Sequence, residues 1–95
     1  MTLRNSGSRT RERVRLHCWM KVAAARRILW ARTVNVSGTG ILVNSLVPLA
    51  AGTFVQLRSR QLALFTGGAY VRYCRRQRWF YRIGLEFQRP VSARF

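Results

Sequence analysis

The chain has 95 residues and sets 18 Lys and Arg against 2 Asp and Glu, a formal net charge of +16 at 48% hydrophobic content. That length holds one modest core and excludes two independently folded units. Seventeen of the basic residues are arginine, a side chain suited to forked phosphate contacts and flat stacking, so the charge calls for a polyanionic or phosphate-bearing partner.

The N-terminal stretch MTLRNSGSRTRE has almost nothing to bury and reads as a flexible basic arm over residues 1–12. It lacks the apolar run of a secretory signal. From residue 14 the even positions Val14, Leu16, Cys18, Met20 and Val22 alternate with Arg15, His17, Trp19 and Lys21, the period of a half-buried strand. The three alanines at 23–25 also suit a cationic helix, but Arg26, Arg27 and Arg32 scatter around such a helix and leave no single polar face. A hairpin turn near the alanines fits better. A second strand then runs through ILWARTVNV, with Ile28, Trp30, Val34 and Val36 expected on one face and Arg32 breaking the pattern.

GILVN is a short third strand, LVPLAAG a turn, and TFVQLRSR a strand that alternates Val55 and Leu57 with Gln56 and Arg58. GGAYVRYC and FYRIGLEF follow, joined by the basic tip RRQRW, and the last strand puts Tyr81, Ile83, Leu85 and Phe87 on one face. Six short strands separated by turn residues predict an all-β fold, an antiparallel barrel that removes exposed edges by closure. The apolar stretch ILVNSLVPLAAGTFV is interrupted by Asn44, Pro48 and Gly52 and is shorter than the roughly 20 residues of a membrane span. A soluble cytoplasmic protein is expected.

Catalysis finds little to work with. Glu12 and Glu86 lie far apart in sequence, Ser37 has no neighbouring His or acid, and SGTG matches neither a nucleophile elbow nor a phosphate loop. Cys18, Cys74 and the lone His17 make neither a metal site nor a disulfide framework. No enzyme, metal or cofactor is expected. A binding patch is easier to build. With Val34 and Val36 inward, Asn35 and Ser37 both point outward about 6.6 Å apart, and together they offer a donor, an acceptor and a rotatable hydroxyl to one planar base edge. Gly40 either lets a ligand approach the backbone closely or takes a positive φ.

In their order, R9-TRE-R13-V, N35-V-S37-GT-G40, L49-AA-G52-TFVQL and YRIGLEF resemble a PilZ domain, whose pattern is RxxxR followed by (D/N)xSxxG. The resemblance spans roughly residues 9 to 88. It implies a six-stranded antiparallel split β-barrel that binds the bacterial second messenger cyclic di-GMP. By it, Arg9 and Arg13 contact the phosphates and guanines, while Asn35, Ser37 and Gly40 hold a guanine at the barrel surface. Arg11 and Gly38 are supplementary candidates, Arg11 either joining its neighbours or pointing to water. The implied organisation is the arm at 1–12, the barrel at 13–88 and a tail at 89–95 with little or no helix. Ser8 stands where some members carry a further arginine, leaving one or two ligands per site open.

On this reading the chain is a stand-alone receptor that hands the signal to a partner protein. Two other readings compete with it. One is a basic β-barrel that binds nucleic acid, with Trp19, Trp30, Tyr73 and Trp79 as stacking residues; the other is a PilZ-like interaction module without ligand.

Overall fold

Strands that bury every second side chain can satisfy both faces at once if their sheet rolls up on itself. The computed structural model describes residues 14–15, 17–59 and 66–89. Its strands are β1 (Val14–Arg15), β2 (Trp19–Ala23), β3 (Ile28–Val36), β4 (Gly40–Ser45), β5 (Phe54–Arg58), β6 (Thr66–Arg76) and β7 (Tyr81–Phe87). Neighbours run β1-β3-β2-β5-β6-β7-β4, and β4 pairs back onto β3, so β2 to β7 close a six-stranded antiparallel barrel with β1 added on β3. The described residues contain no helix long and apolar enough to cross a membrane. The expected arm, Arg9, Arg11 and Arg13, and the tail from Pro90 onward lie outside the described residues.

The inner wall follows the alternation. Met20, Val22, Val55, Leu57, Ile41, Val43, Ile83 and Leu85 are buried on successive strands and make one continuous core, each fully buried aliphatic side chain contributing roughly 1.5–3 kcal/mol relative to exposure. In β7 the expected face is present: Ile83, Leu85 and Phe87 are buried, and Tyr81 packs against them half-buried.

Two expectations need correction. The first strand is split into β1 and β2, and Val14 is 44% exposed while Cys18, Met20 and Val22 are buried. In β3 the first half is turned over: Ile28 and Trp30 are 62% and 58% exposed, and Leu29, Ala31 and Thr33 face the core. The cause is a β-bulge. Thr33 pairs with Val43 but Asn35 pairs with Leu42, so Val34 is an extra residue, and such an insertion reverses the parity of everything before it. Counted back through Val34, strict alternation puts Ile28 and Trp30 on the inner face; with the extra residue they share the outer face with Arg32, which no longer breaks any pattern.

The polar Thr33 is accommodated in the core because its hydroxyl accepts from the Cys18 amide at 2.9 Å and donates to the Cys18 carbonyl at 3.1 Å. The turn before β5 needs Gly52, whose φ of 92° lies in the left-handed region. There the Thr53 amide and hydroxyl both donate to the Ala50 carbonyl, at 3.1 and 2.7 Å.

Candidate functional site: a cleft between two bulges

A second bulge lies in β6. Val71 pairs with Leu85 and Tyr73 with Gly84, leaving Arg72 as the extra residue. The two insertions fall on strands that flank β4 and β7, and the residue after each is brought into one transverse row on the outer wall: Asn35, Leu42, Gly84 and Tyr73. One step along the strands, Gly40, Glu86 and Tyr70 form the next row. Bulges bend and twist the strand that carries them. Here they raise Asn35 on one side and Tyr73 on the other, above a floor that contains two glycines.

The result is a cleft of about 470 Å³, within the range of small-molecule sites. Asn35 and Thr39 border it on one side, Arg72 and Tyr73 on the other, with Gly40, Leu42, Gly84 and Glu86 also lining it. Gly84 is buried although it faces outward, because the Tyr73 ring lies over it and would meet any side chain there. The ring is itself covered by Arg75, whose guanidinium carbon stands 4.8 Å from the ring centroid. Arg72 donates from Nη1 to Glu86 Oε1 at 2.9 Å, with both side chains at least half exposed. A pair so exposed adds about 0–1 kcal/mol at most; its effect is to hold a guanidinium and a carboxylate at the cleft margin.

The motif residues separate into two groups. Asn35 and Gly40 line the cleft, whereas Ser37 does not point outward: it is only 3% exposed. Its amide donates to the Gly40 carbonyl at 2.9 Å, its hydroxyl oxygen accepts from the Thr39 amide at 3.3 Å, and it lies 3.3 Å from the Thr39 hydroxyl. Ser37 therefore builds the tight β3–β4 turn, with Gly38 buried inside it. Gly40 does not have a positive φ. It is glycine because a Cβ there would collide with the Leu85 carbonyl oxygen of β7. Arg9, Arg11 and Arg13 lie outside the described residues.

Sequence reasoning missed Thr39, Arg72, Gly84 and the cleft role of Glu86. Thr39 sits inside the motif already singled out, so its neighbours could have drawn attention to it. The others come together only through the β6–β7 register, which no local pattern specifies. Chemically the cleft combines an amide with donor and acceptor, an aromatic ring, a carboxylate acceptor and a guanidinium. That set suits a purine base carrying an exocyclic amine and an anionic group. Among the described residues, no group of three or more His, Cys, Asp or Glu comes together as a metal site would require.

The sequence matches the family model for the PilZ domain over residues 8–94. No curated protein matches it.

Proposed function

Since the chain belongs to the PilZ domain family, a family of cyclic di-GMP receptors, we propose that the cleft between Asn35 and Tyr73 takes up that dinucleotide. On this proposal the chain acts as a receptor and adaptor that passes the signal to a partner protein. The observation that carries the reading is the pairing of β1 with β3: Val14 stands opposite Val36 and Arg15 opposite Asn35. Arg13 is bonded to Val14, and Arg9 is four residues further back, at most about 14 Å of extended chain. On this proposal the stretch with both motif arginines reaches the cleft from the Asn35 side.

Cyclic di-GMP has two phosphates and two guanines. Arg9 and Arg13 clamp phosphate oxygens in forked pairs, Asn35 meets a guanine edge, and the Tyr73 ring, sandwiched between Gly84 and Arg75, walls the opposite side. Ser37 and Gly40 act beneath this contact surface, by fixing the turn and the β4–β7 approach. Residues 1–12 serve as an arm that the ligand draws onto the 13–88 barrel, with 89–95 as a tail, and binding shifts the population toward the arm-closed form seen by the partner. The protein works in the cytoplasm, as a binding module and not as an enzyme.

Titration calorimetry with cyclic di-GMP, run beside GTP, tests this. Saturable binding is expected, with Arg9→Ala and Arg13→Ala each weakening it about tenfold or more, as the loss of a bidentate contact worth ~1–3 kcal/mol requires. Affinity unchanged in both variants would overturn the assignment.

A further inference from the structure

Adjacent to the cleft, one step along the strands on the same outer wall, runs a row of different character. Trp19 pairs with Arg32, Arg32 with Asn44, Asn44 with Arg82 and Arg82 with Arg75, so five residues from five strands lie side by side. At about 4.8 Å per strand, Arg32 and Arg75 stand roughly 14 Å apart. Arg82 and Arg75 face each other directly across two strands, a like-charge pairing that costs stability. The single acid among the described residues, Glu86, is engaged by Arg72.

The row's guanidiniums are held in place. Arg32 lies over the Trp19 ring at 6.0 Å, Arg75 over Tyr73 at 4.8 Å, and Arg82 over Phe80 at 6.0 Å, where it also donates from Nε to Asn44 Oδ1 at 3.1 Å. The neighbouring row repeats the chemistry with Trp30, Lys21 and Arg58. Trp19 and Trp30 are 53% and 58% exposed, large apolar surfaces left in water beside cations. Positioned cations interleaved with exposed flat rings are what a single-stranded nucleic acid meets when phosphates and bases are bound together. An acidic peptide would use the charge but not the rings.

We infer that this outer wall is a second binding surface, for the phosphodiester backbone and bases of single-stranded nucleic acid, separate from the dinucleotide cleft. It extends beyond the cyclic di-GMP reading and does not depend on it.

The test uses the full chain and a fluorescein-labelled mixed-sequence single-stranded DNA of about 16 nucleotides, followed by anisotropy over a salt series. Each arginine that meets a phosphate contributes about 0.7 to the slope of log affinity against log salt. Arg32→Gln and Arg75→Gln are each expected to lower that slope by about 0.7. Arg26→Gln with Arg27→Gln, in the exposed β2–β3 turn, is expected to leave it within half that amount. Trp19→Ala and Trp30→Ala are expected to weaken binding about fivefold or more at unchanged slope, and DNA is expected to quench tryptophan emission in a Trp79→Phe background. Arg32→Lys, which keeps the charge, should keep the slope, so a misfolded variant is distinguishable.

An equal slope loss in the turn variant would reduce the surface to diffuse charge and overturn the proposal. Unchanged affinity in both tryptophan variants, or competition by polyglutamate as strong as by unlabelled DNA at equal charge, would overturn it in favour of an acidic protein partner. Cyclic di-GMP titration of Arg32→Gln, whose side chain is not part of the cleft lining, separates the two sites: this variant should bind the dinucleotide normally, whatever the DNA result.

Discussion

Gly40 and Gly84 both lie under the cleft, yet they are glycine for different reasons, and the difference is measurable. A methyl group at Gly40 would meet the Leu85 carbonyl, backbone that β7 pairing holds in place. Gly40→Ala is therefore expected to lower stability by about 1–3 kcal/mol, the usual cost of overpacking, read as a lower urea midpoint. At Gly84 the obstacle is the far end of the Tyr73 ring, which a χ rotation can move. Gly84→Ala should cost less than about 1 kcal/mol in the same melt, while the displaced ring changes one wall of the cleft and weakens cyclic di-GMP at least fivefold. A Gly84→Ala protein as unstable as Gly40→Ala would show that Tyr73 cannot move. Ser37 gives a related caution. Because its hydroxyl caps the β3–β4 turn from a buried position, lost binding in Ser37→Ala would report on the turn as much as on the ligand.

Among the elements, the two bulges have most effect on the site. Val34 is the unpaired residue of β3, and removing it leaves Thr33 inward, Asn35 outward and Val36 inward in plain alternation. Deleting Val34 should therefore leave a folded barrel, within about 2 kcal/mol of the parent by the usual scale of single changes, with the local bend gone and Asn35 aimed differently. Far-UV circular dichroism should be retained and cyclic di-GMP affinity should fall tenfold or more; full affinity would mean that the bend has no part in the site. These insertions also explain what the sequence could and could not convey. Alternation alone located β5, β7 and the hairpin tips, because Val55 and Leu57, or Ile83, Leu85 and Phe87, report their face locally. It reversed Ile28 and Trp30 because one extra residue changes parity without changing composition. Asn35 and Gly40 were legible as motif residues. Tyr73, Gly84 and Arg72 were not, since their place in the cleft depends on which residue of β7 each part of β6 meets.

For the molecule as a whole, charge opposes compaction. A net +16 on a chain of 95 residues repels itself, and among the described residues the ion pair in place is Arg72 with Glu86. Salt should therefore stabilise the fold. Raising sodium chloride from 20 to 300 mM shortens the screening length from roughly 20 Å to under 10 Å, and the thermal midpoint is expected to rise by several degrees, equivalent to about 1 kcal/mol in a domain of this size. A midpoint that falls with salt would indicate that attractive pairs outweigh the repulsion. The same field draws anions to the cleft and to the arginine row alike, so affinities at either place should be compared at fixed ionic strength.

Ring closure also gives every barrel strand a neighbour on each side. Were the backbone nicked between Ser59 and Thr66, the halves would still share two seams, β5 with β6 and β4 with β7, and the core they enclose. Co-expressed as separate polypeptides, the two pieces should reassemble, which would make this small barrel divisible into a reporter whose halves find each other without a linker.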